Sequence, residues 1–145
     1  MEKIVTFLKN NVTLDRTDDW IFADSPTITP TPPVIIVVFR GLAEKRGFLC
    51  DTGYLIDYVF DIELAVHRDN SYTINEEKKT GQELRAYLTN KIIECFIEKD
   101  EELESQLSNV VDVSLRDIRY HPYDVSTGIY RATITISVLQ HWKLS

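Results

Sequence analysis

Residues 54–68 read YLIDYVFDIELAVHR, with apolar side chains at every even position from 54 to 66. The odd positions include four polar side chains, at Asp57, Asp61, Glu63 and His67. A period of two kept over this length predicts one extended strand with a dry face and a wet face. Because strands usually have about five or six residues, we expect this strand to reach beyond its own core and contact something else.

Length and composition indicate one soluble globular domain covering residues 1–145. Hydrophobic residues make up 43% of the 145 residues and charged residues 27%, which is ordinary for such a domain. The net charge of −7 argues against tight nucleic-acid binding, which requires basic patches. An acidic surface suits either simple solubility or a passage through which nucleic acid slides without being held.

From the two cysteines and the first residues we expect a protein that is made inside a cell. Cys50 and Cys95 are not clustered, so we expect two reduced, structural thiols. Residues 1–4 lack the features of a signal peptide, and no apolar stretch approaches the roughly 18–20 residues that cross a bilayer. We therefore expect a soluble protein without a membrane contact.

The first half of the chain predicts a helix, an arm and a hairpin. Hydrophobic spacing predicts a short amphipathic helix over residues 2–12. Residues 18–33 contain four of the five prolines, which predicts a stiff arm without helix or central strand. The hairpin spans 34–68: the apolar run Val34–Phe39 predicts a strand covered on both faces, and the glycines and charges of 40–52 predict a loop or ragged hairpin tip.

The second half predicts a capped helix and a second hairpin. Thr80 and Glu83 have the spacing of a capping box, which predicts a helix over 80–99 with Arg85 off its apolar stripe. That stripe consists of Leu84, Leu88, Ile92, Cys95 and Phe96. Alternating residues on both sides of a turn at 121–128 predict a hairpin over 110–142. The fold class is therefore α+β, a single domain with a largely antiparallel sheet of about four long strands and two helices packed on it.

No group of residues predicts catalysis. One strand face carries three acids, Asp57, Asp61 and Glu63. Acids on the outward face of a strand are more often solvated side chains than paired catalytic carboxylates. The three histidines, His67, His121 and His141, lie in separate elements without a second ligand at metal spacing. We therefore expect no enzyme activity, no cofactor and no metal.

The order of these elements resembles that of tail terminator or tail-completion proteins of long-tailed bacteriophages. The resemblance rests on the helix Ile4–Val12, the strand 34–40, the alternating strand 54–68, the helix 80–99 and the closing strand 128–142. The arm at 18–33 departs from the family pattern.

The resemblance implies a structural virion protein of the neck, assembled in the host cytoplasm. Copies would form a homo-oligomeric ring, usually a hexamer, that caps the tail tube and stops its polymerisation. The ring would also dock to the head–tail connector or stopper protein, with DNA only passing through its lumen. The candidate assembly interface comprises Arg40, Glu44, Lys45, Arg46, His121, Tyr123 and Asp124, because these residues are charged or lie at predicted hairpin ends.

Two other classes of function stay open at this point. The first is another neck component, either a stopper or a head–tail adaptor. The second is a generic ligand-binding or hydrolytic α+β domain that uses Asp57, Asp61 and Glu63 with His67. A bound ion, or an activity lost in Asp61→Asn, would favour the second class.

Overall fold

The computed structural model describes residues 1–26, 30–48, 53–107 and 110–143, with side chains described except at 43–48, 53–54, 111 and 142–143. Its helices and strands are α1 (Glu2–Asn11), β1 (Ile21–Ala23), β2 (Val34–Phe48), β3 (Gly53–His67), β4 (Ser71–Ile74), β5 (Glu77–Thr80), α2 (Gln82–Glu98), α3 (Asp100–Gln106), β6 (Val110–Tyr120) and β7 (Ile129–Lys143).

Five of the strands form one sheet in the order β1-β2-β3-β7-β6. All neighbours in it are antiparallel except β1 and β2, which are parallel, so the sheet is mixed. The α+β class is confirmed. The four long strands of a largely antiparallel sheet are also confirmed, as β2, β3, β6 and β7. The short β1, the small β4-β5 sheet and α3 were not predicted.

Strand β3 confirms the long alternating strand and forms the centre of the sheet. It pairs with β2 on one side and with β7 on the other. Its even positions from Ile56 to Val66 face the core side, where Ile62, Leu64 and Val66 are almost fully buried. The alternation arises because side chains on a strand point to opposite faces in turn.

Helices α1 and α2 cover this apolar face of the sheet. The α2 stripe lies in the core as predicted, at Leu84, Leu88, Ile92, Cys95 and Phe96. The rings of Phe7 in α1 and Phe96 lie 5.3 Å apart and join the two helices. Burial raises the pKa of the Cys95 thiol to about 12, so this cysteine stays protonated and behaves as a small apolar side chain.

The predicted loop at 40–52 was wrong for residues 40–48, which continue strand β2. The pairing of β2 with β3 shifts register at three places along this segment. Gly41 has a φ of +113° at the first shift, a conformation that other residues rarely adopt. Bulges of this kind allow a strand to contain glycine and charged residues. The rest of the predicted loop, residues 49–52 with Cys50, lies outside the described part.

The predicted arm at 18–33 contains a short strand that proline-based reasoning missed. Strand β1 pairs in parallel with the start of β2, and Trp20 and Ile21 are buried. The Arg16 side chain stabilises the position of the arm by donating a hydrogen bond of 2.7 Å to the carbonyl oxygen of Pro33. All four prolines of the arm follow β1 in the sequence, so they do not prevent β1 from pairing as a strand. Residues 27–29 lie outside the described part.

The run Val34–Phe39 is not covered on both faces. Ile35 and Val37 are fully buried beneath the helices, but Ile36 and Val38, on the other face, are only half-buried. A continuous apolar run predicts burial on both faces. Here the second face has no layer of described helices over it.

The capping box was also wrong. Thr80 belongs to β5, and its hydroxyl lies 3.0 Å from the Ser71 hydroxyl across the β4-β5 hairpin. Gly81 precedes α2 with a φ of +56°, and a Cβ there would lie 3.1 Å from the carbonyl oxygen of Arg68. A tight approach to a neighbouring backbone, which local sequence does not reveal, therefore decides how α2 begins.

The dense acidic run after α2 forms a separate helix, α3. Its first turn contains Asp100, Glu101 and Glu102, which suits the positive end of a helix dipole. Leu103 is fully buried and fixes α3 to the core. Among the described residues, no helix is long and apolar enough to cross a membrane.

Candidate functional site: the open face and the two sheet edges

The helices pack on one face of the sheet, and the opposite face, here called the open face, carries most of the polar groups of the strands. We define it by Arg40, Asp61, Glu63, Arg119, Thr133 and Thr135. All but Arg40 face the same side because residues directly opposite on paired strands point to the same face. Arg40 is a bulged residue without an opposite partner, and its contact with Asp61 at 3.4 Å places it on this face.

A groove of about 520 Å³ runs along the open face. Its lining includes Arg40 and His121, two residues of the predicted interface that come from opposite sides of the sheet. Charges within the groove are largely paired: Arg119 lies 3.4 Å from Asp117, and Arg40 lies 3.4 Å from Asp61. Paired charges leave the groove without a strong field of either sign.

Asp61 and Asp57 are buried, so the predicted solvated face was wrong for both. They are 8% and 4% exposed, whereas Glu63 is exposed as predicted. The Thr135 hydroxyl donates a hydrogen bond of 2.7 Å to one Asp61 oxygen, and the Arg40 guanidinium lies near the other. Side chains from both neighbouring strands lie over this carboxylate, which a pattern within one strand cannot show.

The structure does not assemble the hydrolytic set. Asp61 and His67 are six positions apart on one strand, which corresponds to about 20 Å at 3.3 Å per residue. Asp61 is instead held by Thr135 and Arg40. Across the described residues, no group of three or more His, Cys, Asp or Glu side chains is placed to hold a metal ion.

The loop after β6 contains three predicted interface residues, each with a defined contact. The His121 ring nitrogen Nε2 lies 2.8 Å from the Thr133 hydroxyl. The Tyr123 ring lies 4.5 Å from that of Tyr130. Asp124 accepts hydrogen bonds from the backbone and hydroxyl of Ser126, and hydrogen bonding lowers the pKa of its carboxyl group. These contacts make the loop a well-formed turn.

The other predicted interface residues lie at the far end of the sheet. Residues Glu44, Lys45 and Arg46 belong to β2, opposite the part of β3 that begins at Leu55. Their side chains lie outside the described part. The two predicted clusters therefore sit at opposite ends of the sheet and do not form one continuous surface.

Arg85 is a positioning residue that the sequence pattern missed. It was expected off the apolar stripe of α2, but it is only 8% exposed. One guanidinium nitrogen donates to the carbonyl oxygens of His121 at 3.0 Å and Arg131 at 3.1 Å. The guanidinium also lies 5.0 Å from the Tyr120 ring and 5.2 Å from the Tyr130 ring. Through these hydrogen bonds and ring contacts, Arg85 links the end of β6 and the start of β7 to α2.

Both outer edges of the sheet are open to pairing. Strand β1 pairs with β2 only as far as Val37. Residues 38–48 pair with β3 on their inner side, and no described strand pairs with them on their outer side. We call this segment the β2 free edge. At the other side the sheet order ends with β6, whose outer side no described strand covers; we call Val110–Tyr120 the β6 free edge.

Large apolar side chains are exposed on both free edges. Phe39 and Leu42 are 44% and 59% exposed on the β2 free edge, and Ile118 and Tyr120 are 38% and 47% exposed on the β6 free edge. An apolar pocket of about 270 Å³ lies nearby on the helix-covered face, between the start of α1 and strands β3 and β7. Exposed apolar side chains grouped on strand edges are typical of interaction surfaces.

The sequence was compared with family models and with curated proteins. No family model matches it, and no curated protein gives a significant match.

Proposed function

We propose that this chain is a structural protein of the phage head–tail interface. Its copies form a ring, usually of six, that caps the tail tube, stops tube polymerisation and docks to the head–tail connector. The observation that carries the proposal is the pair of free edges, one at each side of the five-stranded sheet. A closed ring needs two different surfaces on every copy, because each copy contacts one neighbour on each side.

The length of the central strands supports an assembly role. Strands β3 and β7 each have 15 residues, about three times the usual length. The ends at Gly53 and Lys143 pair with each other, so this part of the sheet is a regular extension and not an irregular loop. A rigid, paired extension of this kind is suited to contact between proteins.

The charge distribution supports passage of DNA and not its retention. The net charge is −7, and the arginines Arg40 and Arg119 on the open face lie beside carboxylates of the same chain. Binding of DNA depends on cations that are available to replace counterions. Arginines neutralised within the groove supply little of that attraction, so DNA can move past such a surface.

The decisive experiment is a tube-capping assay with the tail tube protein encoded in the same genome. Tube protein polymerised alone should give tubes of unlimited length in electron micrographs. Addition of the purified chain should shorten the tubes and place extra density at one end. Tubes of unchanged length with bare ends would contradict the proposal. Binding to the connector without any effect on tube length would instead indicate a stopper or adaptor.

A further inference from the structure

We propose that the β2 free edge of one copy pairs in antiparallel fashion with the β6 free edge of a second copy. This inference rests on the proposed ring and names the contact that builds it. The sheet of one chain would then continue into the sheet of the next, through backbone hydrogen bonds that both edges leave unused in the single chain.

The two free edges agree in length and direction. The β2 free edge covers 38–48, which equals the 11 residues of β6. Along the sheet, β2, β3, β7 and β6 alternate in direction at each step, so β2 and β6 run in opposite directions. When a second copy is placed beside the first in the same orientation, its β2 meets β6 as an antiparallel neighbour.

The two free edges also lie at nearly the same height of the sheet. The β2 free edge pairs on its inner side with the part of β3 from Tyr54 to Asp61. The β6 free edge pairs through β7 with the part of β3 from Ile56 to Leu64. The two ranges overlap from Ile56 to Asp61, so the edges can meet over much of their length. Pairing Phe39, which lies level with Phe60, with Tyr120, which lies level with Leu64, moves the second copy by four residues along the strand direction.

The exposed apolar side chains lie on the same face at both edges. Phe39 and Leu42 are opposite Phe60 and Tyr58 in β3, and Ile118 and Tyr120 are opposite Ile134 and Ala132 in β7. All four therefore point toward the helix-covered face. Joining the edges places the apolar pair of one copy next to the apolar pair of its neighbour and removes both from water.

A register consistent with these contacts follows from the first bulge of β2. With Phe39 opposite Tyr120 of the second copy, and Arg40 left out as the bulged residue, Leu42 falls opposite Ile118 of the second copy. The same bulge already occurs against β3, where Phe39 pairs with Phe60 and Leu42 with Tyr58. No new backbone irregularity is needed at these positions.

The test uses two variants of the full chain, each blocked at one edge. Leu42→Lys blocks the β2 free edge and Ile118→Lys blocks the β6 free edge, because a lysine on an exposed edge opposes strand addition. Both positions are exposed, so the fold should survive, as circular dichroism would show. Ile97→Lys is the matched control, since Ile97 is 62% exposed on α2 and lies on neither edge.

Native mass spectrometry over a concentration series distinguishes the outcomes. We expect a closed multimer for the unmodified chain and for Ile97→Lys, and monomers for each edge variant alone. An equimolar mixture of the two edge variants should give dimers and nothing larger, because one intact edge remains on each partner. The proposal is overturned by a monomeric unmodified chain, by multimers of either edge variant, or by a mixture that stays monomeric.

The capping assay separates this inference from the proposed function. Multimers that require both edges but leave tubes uncapped would contradict the proposed function and leave the edge pairing in place. Tubes capped equally well by Leu42→Lys and by the unmodified chain would contradict the edge pairing and leave the proposed function in place.

Discussion

The centre and the edges of the sheet follow different rules. Strands β3 and β7 pair along the full length of β3 without a register shift, and their inward side chains are buried. Strands β2 and β6, which provide the free edges, have three and two register shifts and expose large apolar side chains. A strand with neighbours on both sides must keep strict alternation, since a one-residue slip would turn its apolar side chains toward water. An edge strand has a neighbour on one side only, so it tolerates register shifts more easily.

This difference separates side chains that stabilise one chain from side chains that are available to a partner. Truncation of a central side chain should reduce the free energy of unfolding. Changes on the free edges should spare the single chain and alter its self-association.

The largest effect is expected for Ile62→Ala in β3. Ile62 is completely buried between Val37 and Ile134 on the neighbouring strands. Its truncation leaves a cavity in the core, which costs about 2–5 kcal/mol in the free energy of unfolding. Urea denaturation followed by circular dichroism measures this loss.

Ile97→Ala is the matched control for Ile62→Ala. It removes the same atoms from a side chain that is 62% exposed, so the free energy of unfolding should change by less than about 0.5 kcal/mol. Equal losses for the two variants would show that the central strand has no special role in stability.

An intermediate effect is expected for Arg85→Met, at the junction between α2 and the edge strand. The substitution removes the donor to the carbonyl oxygens of His121 and Arg131. The Arg131 carbonyl keeps its hydrogen bond from the His121 backbone N–H. Hydrogen bonds to a charged group contribute about 1.5–3 kcal/mol, so unfolding should become easier by about that amount. Hydrogen exchange should accelerate at the end of β6 more than in β3.

Two further variants sharpen the Arg85 prediction. Arg85→Lys should not restore stability, because an ammonium group lacks the planar guanidinium that lies against the Tyr120 and Tyr130 rings. Arg131→Met replaces an exposed arginine of β7 and should leave stability within about 0.5 kcal/mol of the unmodified chain. If hydrogen exchange in Arg85→Met became faster to the same degree in every strand of the sheet, Arg85 would not act locally on the end of β6.

The smallest effect concerns the pH response of the turn after β6. Hydrogen bonds from Ser126 and Thr127 lower the pKa of the Asp124 carboxyl below its ordinary value of 3.8. The unfolded chain then binds this proton more readily than the folded chain. The contribution of Asp124 to stability is therefore present above pH 3.8 and is lost as the pH falls through the folded pKa.

NMR titration of the Asp124 side chain measures this shift. Ser126→Ala should raise the pKa toward the ordinary value, because it removes the hydroxyl that donates to the carboxylate at 2.7 Å. An Asp124 pKa of 3.8 or higher in the unmodified chain would show that the turn does not hold the carboxylate in this way.

Sequence reasoning was accurate where local pattern and burial coincide. The alternation of β3 and the stripe of α2 predicted their buried faces, because a regular element with one apolar side has only one favourable orientation toward a core. Arg40 and His121 were selected for charge and for position in a predicted turn. The structure does bring these two residues to one groove.

The sequence by itself determined the α+β class, the central strand and the apolar face of α2, since these follow from the chemistry of neighbouring residues. Tertiary structure alone decided the burial of Asp61, the role of Arg85 and the start of α2 at Gly81. Each of these depends on a group distant in the chain, such as the Thr135 hydroxyl or the carbonyls of His121 and Arg68. A hydrogen bond or a close backbone approach across strands leaves no periodic signal in the sequence.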